Sequence, residues 1–263
     1  MERRQFIAAS IATSAIGIVP VLGDAQAAPQ AEFYQIRRYS LQQGSQTAAT
    51  SNYLGQALIP ALNRMGMGPV GAFTVDIGPE TPTFYVVIPG PSLELLAELD
   101  LKLGEDADFV KAADPFWNAL SKSPPFQRVE ISLLKAFAGW PKLTPPPSSA
   151  TKSSRIFQLR TYESPSNGAH VRKVEMMHAG EFDIFVKAGC QPVFFGRTLS
   201  GSRMPNLTYM LSFANSQELD ARWQVFLNDP AWKKLTTDPR YSYDHIVTNI
   251  NNLVLRPLPV SQI

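Results

Sequence analysis

The sequence is poor in the residues that most often anchor chemistry. Among 263 residues there is one cysteine and there are three histidines. Cys190 alone closes no internal disulfide, and no Cys/His group shows the spacing of a structural zinc site, so a metal would have to come from scattered ligands. Charge is scarce as well, at 17% of residues, and nearly balanced, with 24 Lys and Arg against 22 Asp and Glu. A formal net charge of +2 with no basic cluster on one face argues against a nucleic-acid partner. No Gly-x-Ser-x-Gly, phosphate loop or dinucleotide glycine pattern occurs, which takes most of the support from hydrolase and nucleotide readings. No segment offers the ~20 successive apolar residues of a membrane-spanning helix. What the chain does have is apolar content, 44%, enough for one large or two small packed domains.

The first 27 residues read as an address. Arg3 and Arg4 are followed by Phe6 and Ile7, then by a weakly apolar stretch over 8–22 that Ser10, Thr13, Ser14 and Gly17 interrupt. Ala25-Gln26-Ala27 closes it as a small-x-small cleavage site. The paired arginines resemble the twin-arginine signal, which exports folded cargo to the periplasm or beyond. Glu2 stands where Ser or Thr is usual and Ala8 where Lys is common, so ordinary secretion remains the alternative.

The rest of the chain repeats itself. Tyr34-Gln35-Ile36-Arg37-Arg38-Tyr39 matches Phe157-Gln158-Leu159-Arg160-Thr161-Tyr162 at an offset of 123. The same offset pairs Pro69-Val70 with Pro192-Val193, and Asp106-Ala107-Asp108-Phe109 with Asp229-Pro230-Ala231-Trp232. An offset of 124 pairs Phe84-Tyr85 with Thr208-Tyr209, and Ser92-x-Glu94-Leu95 with Ser216-x-Glu218-Leu219. Five matches in one order imply a duplication. The copies span 32–138 and 155–258, and the Pro- and Ser-rich segment 139–154 reads as an extended linker.

Each copy reads as β-α-β-β-α-β. In the second, 156–162 alternates like a strand, and 166–188 carries Val171, Val174, His178, Phe182 and Phe185 at helical spacing, ending at Gly189. Strands over 193–199 and 207–213 follow, then a helix capped by Ser216, a stop at Asp229-Pro230 and a strand over 246–255. The first copy shows a helix stripe of Leu54, Leu58, Leu62 and Met65, strands over 70–77, 83–88 and 126–137, and a helix from Ser92. This is the ferredoxin-like unit, an α+β sheet with both helices on one face. Its bare face must be buried, and two copies on one chain can do this sheet to sheet, as a closed or half-closed barrel with helices outside.

Gln158-Leu159-Arg160-Thr161-Tyr162, Asn206-Leu207-Thr208-Tyr209, Ser216-x-x-Leu219 with Arg222, and Asp229-Pro230-Ala231-Trp232 together resemble the NIPSNAP family of the dimeric α/β-barrel superfamily. The first copy departs from the pattern, with Arg38 in place of the motif's Thr. The resemblance implies a dimeric-α/β-barrel-like pseudo-dimer and a homo-oligomer. It implies no agreed reaction, and fold alone does not give one.

Alternation sets Phe157, Leu159 and Thr161 against Gln158, Arg160 and Tyr162, and in the first copy Tyr34, Ile36 and Arg38 against Gln35, Arg37 and Tyr39. With the more apolar set against the helices, Gln35, Arg37, Tyr39, Gln158, Arg160 and Tyr162 point into the space between the sheets. Two guanidiniums there favour a small anionic or aromatic ligand, planar or carboxylated. The alternative is that each arginine pairs with an acid of the other sheet and only pins the barrel. His178, on the helix stripe, faces the gap between helix and sheet; there it is either a core histidine, a base, or a ligand to haem. His170 and His245 read as surface residues, Trp232 as packing, and Cys190 as a buried thiol. A ligand-binding or interaction module comes first among the functions. An oxidoreductase or monooxygenase-like enzyme, by resemblance to other members of the superfamily, comes second, and a structural oligomer third.

Overall fold

The computed structural model describes residues 30–76 and 82–263, so the signal-like segment 1–27 lies outside the described residues. Residues 31–263 form one compact unit. Among the described residues its eight strands are β1 (Phe33–Ser40), β2 (Gly71–Val75), β3 (Thr83–Gly90), β4 (Arg128–Ala136), β5 (Ile156–Glu163), β6 (Gln191–Ser200), β7 (Asn206–Phe213) and β8 (Asn249–Pro257). They close a barrel in the order β1-β3-β2-β8-β5-β7-β6-β4, with antiparallel neighbours throughout. Each copy contributes four adjacent strands, and the two seams, β2–β8 and β4–β6, join the copies. The sheet edges that separate units would offer to a second chain are thus used within this one.

The register corrects one sequence match. Phe84 lies opposite Tyr39, and Leu207 lies opposite Tyr162, so the offset between β3 and β7 is 123, not 124. Tyr85 of the first copy therefore corresponds to Thr208 of the second.

Three apolar cores stabilise the unit, and each fully buried large side chain contributes ~1.5–3 kcal/mol. Two lie between sheet and helices, one per copy, around Leu54, Leu58 and Phe109 and around Phe185, Tyr209 and Phe226. The third fills one end of the barrel with Tyr34, Phe73, Phe157, Phe194 and Met210. Phe73 packs edge-on to Phe157 at 4.8 Å, and Tyr34 meets Phe194 at 5.1 Å. An eight-stranded barrel is just wide enough for such side chains to fill it. The segment between the copies, expected as an extended linker, packs onto this end. Leu143 enters the barrel core, and Thr144 N–H donates to Val193 O at 2.8 Å.

The long helix of the second copy is broken in a way the periodicity did not predict. It runs Asn167–Met176, widens to a π turn over Met177–Glu181, and resumes at Phe182–Lys187, with Gly180 at φ 140°. A π turn inserts an extra residue, so the inward face changes register across it. Before the turn the buried positions are Ala169, His170, Lys173 and Met176; after it they include Phe182, Ile184 and Phe185. Val171 and His178, expected on the buried stripe, are consequently exposed. Gly189 does end the helix in the left-handed region, at φ 81°. Asn215, one residue before the expected Ser216, caps the last long helix by accepting from Glu218 N–H at 2.9 Å.

Candidate functional site

The barrel is filled at one end and open at the other. At the open end a cavity of about 310 Å³ has an apolar floor of Ile36, Val75, Leu134, Leu159 and Leu253. Above the floor stand Arg38, Tyr85 and Glu130 on one side and Thr161, Thr208 and Asn251 on the other. Ser202, Arg203 and Asn206, at the turn between β6 and β7, complete the rim.

The duplication explains why these two sides differ. Arg38 faces Tyr85 on β3 and Glu130 on β4, while Thr161, its counterpart, faces Thr208 on β7 and Asn251 on β8. One ring of the barrel thus carries a charged, phenolic half and a small, neutral half. Arg38 is ion-paired to Glu130. Thr161 and Thr208 hydrogen-bond to each other at 2.8 Å, and their small size leaves the space that the cavity occupies. Burial raises the Tyr85 hydroxyl above its usual range, with Arg38 and Arg203 pulling it back. It therefore stays protonated at neutral pH and is able to donate.

The expected site residues lie elsewhere. Gln35, Arg37 and Tyr39, and Gln158, Arg160 and Tyr162, do alternate against the apolar set, but they point beneath the helices. Gln35 Nε2 donates to Leu96 O at 2.6 Å, and Arg37 pairs with Asp100 at 2.8 Å. Gln158 Oε1 accepts from Trp223 Nε1 at 2.7 Å, and the Arg160 guanidinium lies 4.4 Å from the Trp223 ring. Both faces of a closed, helix-covered sheet are buried, so relative polarity cannot tell inside from outside. The long stems of Arg and the rings of Tyr found partners among the helices, whereas Phe157 and Leu159 filled the dry barrel. Of the arginines on β1 and β5, it is Arg38, the residue that departs from the family motif, that reaches the cavity.

Arg160 belongs to a polar network within the second copy's core. Its Nη2 donates to Tyr162 Oη at 3.0 Å, and Tyr162 Oη meets Tyr209 Oη at 3.1 Å. Lys173, wholly buried, pairs with the buried Glu181 at 2.7 Å and lies 5.1 and 5.0 Å from the Tyr162 and Tyr243 rings. Burial holds the Tyr209 hydroxyl well above its usual range.

The histidines exchange the places expected of them. His178 is exposed, its Nδ1 is 2.9 Å from Val174 O, and its Nε2 accepts from Gly139 N–H at 3.3 Å. His170, expected at the surface, is 6% exposed, and neither ring nitrogen has a partner among the described residues. Burial, helped by Arg197, pushes it down to about 4. Cys190 is buried as expected, and burial pushes its thiol up to about 12. Trp232 packs on Phe226 at 4.6 Å.

A haem needs an axial His, Cys, Met or Tyr. Only Tyr85 among the residues lining the cavity is of such a type, and both nitrogens of His178 are engaged outside it. The cavity thus offers a haem iron no histidine, cysteine or methionine. No group of three or more His, Cys, Asp or Glu side chains placed to hold a metal occurs among the described residues. Nor, among them, is any helix long and apolar enough to cross a membrane.

The NIPSNAP family profile matches the sequence twice, over residues 34–123 and 157–262. No protein of curated function matches it. Among solved structures, a "putative monooxygenase" from Lactobacillus acidophilus NCFM is 10% identical, with a TM-score of 0.55 over 87% of this chain and 94% of that one. A second, from Fusobacterium nucleatum, is 8% identical, with a TM-score of 0.53 over 88% and 94%. A NIPSNAP-like domain protein from Burkholderia xenovorans is 16% identical and aligns with 40% of this chain and 86% of its own, at a TM-score of 0.36.

Proposed function

The chain belongs to the NIPSNAP family, and from that premise we propose that it is a small-ligand-binding module whose site is the open mouth of its own barrel. The observation that carries the reading is the cavity of about 310 Å³, with an apolar floor under a rim of hydroxyl, amide and guanidinium groups. That volume lies at the small end of the range for ligand pockets, and the lining is more polar than is usual for them, with the apolar side chains confined to the floor. Both seams are internal to one chain, so the site is complete in a monomer, and binding is expected not to depend on a homo-oligomer. The test is a thermal-shift series with small anionic and aromatic molecules on the mature protein and on Asn251→Trp, which fills the mouth from β8. A ligand at a hundred times its Kd adds ~2.7 kcal/mol, which is roughly 5–10 °C for a domain of this size. The expected result is a shift in the wild type that Asn251→Trp abolishes. No shift in the wild type, or equal shifts in both, contradicts the proposal.

A second reading, an oxidoreductase or monooxygenase-like reaction at the same mouth, is favoured by the two neighbours that match most of the chain and are each described as a "putative monooxygenase". Oxygen uptake with a bound ligand, lost in Asn251→Trp, would support it. Export is a further part of the proposal, supported by Arg3, Arg4 and the cleavage site Ala25-Gln26-Ala27. Replacing both arginines by lysine is expected to leave the precursor in the cytoplasm; unchanged export would refute the twin-arginine route.

A further inference from the structure

Building on the reading of the barrel mouth as a ligand site, we propose that it selects monocarboxylates with an apolar body, and that Arg203 anchors the carboxylate by exchanging Glu163 for it. The lining carries two guanidiniums, Arg38 and Arg203, and one carboxylate, Glu130. Arg38 is already ion-paired to Glu130, so within the lining it is Arg203, whose distant partner Glu163 stands outside it, that is left to meet a ligand's charge. A monoanion balances it. A cation or a dianion would leave net charge in a half-enclosed site, which is costly.

Arg203 is loosely held by its own acid. Its Nη1 lies 3.7 Å from Glu163 Oε1, beyond hydrogen-bonding distance, and that oxygen accepts instead from Asn249 Nδ2 at 3.0 Å. Glu163 stands outside the cavity lining, so releasing Arg203 breaks one weak contact and leaves Glu163 with its amide partner. A ligand carboxylate in the cavity can then offer what Glu163 does not, two oxygens to the guanidinium fork.

The backbone presents Arg203 from a fixed base. The residue sits at φ 59°, a conformation a non-glycine residue keeps only where its surroundings hold it. Here Asn206 does so: its Nδ2 donates to Ser202 O at 3.0 Å and to Arg203 O at 3.1 Å, and its Oδ1 accepts from Thr198 Oγ1 at 2.5 Å. Asn206 is itself 3% exposed. The neutral Tyr85 hydroxyl, close enough to feel both guanidiniums, adds a second donor for the carboxylate. The apolar floor below takes the ligand's body and disfavours a second charge at that end.

The experiment is calorimetric titration of the mature protein with octanoate and, as its uncharged isostere, octanamide. Octanoate is expected to bind at least tenfold more tightly. Arg203→Gln, at a side chain 52% exposed, should keep the wild-type melting temperature, erase the octanoate advantage, and leave octanamide within twofold. Glu163→Gln should tighten octanoate severalfold by removing its competitor. Equal binding of the two probes, or an advantage that survives Arg203→Gln, overturns the carboxylate proposal and leaves the mouth as the site. Binding of neither probe overturns both readings.

Discussion

Removing the ammonium of Lys173 should destabilise the protein more than almost any other single change in the second copy. Lys173 and Glu181 have side chains 0% and 1% exposed, and their charges meet at 2.7 Å. Around them lie Met176 Sδ at 3.5 Å, Tyr243 Oη at 3.3 Å and the face of Tyr162. No water layer is available to Glu181 once its partner is gone, so Lys173→Met leaves a buried carboxylate uncompensated. Breaking such a pair costs ~3–5 kcal/mol, whereas replacing both members by apolar groups of similar volume is often neutral or stabilising. The double variant Lys173→Met/Glu181→Leu should therefore return to within about 1 kcal/mol of the wild type. The coupling between the two sites should be several kcal/mol, read as a double-mutant cycle from urea unfolding. In a thermal scan the single variant should melt roughly 6–20 °C lower. A single variant that loses less than about 1 kcal/mol, or a double variant as unstable as the sum of the singles, would show that the pair is solvated and the network misread.

His170 should contribute to the loss of stability in acid. Its folded-state value of about 4 lies below the ordinary 6.5, so between those values only the unfolded chain binds the proton, and stability falls as pH drops through that window. Linkage gives roughly 2 kcal/mol lost at pH 5 relative to pH 8, and about half that after allowing for screening by nearby solvent. His170→Phe should remove that part of the pH slope in urea unfolding; an unchanged slope would place the titration elsewhere. Cys190, 3% exposed with its thiol pushed up to about 12, should not react with a disulfide reagent at pH 8 until the protein is unfolded in guanidinium. Rapid reaction of the native protein would mean that the Gly189 turn opens readily.

The architecture was legible because it rests on local periodicity and a repeated order of elements. The 123-residue offset aligns β1 with β5, the match of β3 with β7 was one residue out, and the helix start at Ser92 and the Gly189 stop lie where the sequence put them. Two features defeated the site reading. Alternation separates the faces of a strand but does not label them, and here both faces are buried, so Arg37 and Arg160 were placed in the barrel when they lie under helices. The π turn over Met177–Glu181 reversed the expected exposure of His170 and His178 by moving the helix stripe one residue. The cavity residues had a faint signal, visible only between the copies: Arg38 against Thr161, and, once the register is corrected, Tyr85 against Thr208. Arg203 and Asn206 gave none, because their role depends on a turn conformation and on strands brought together by closure.

The ligand site can be located by a crystal structure with a brominated aromatic carboxylate such as 4-(4-bromophenyl)butanoate. An anomalous bromine peak is expected over the floor formed by Leu159 and Leu253, with the carboxylate at Arg203. A peak beneath the helices, beside Arg37 or Arg160, or a mouth that stays empty at saturating ligand, would contradict that placement.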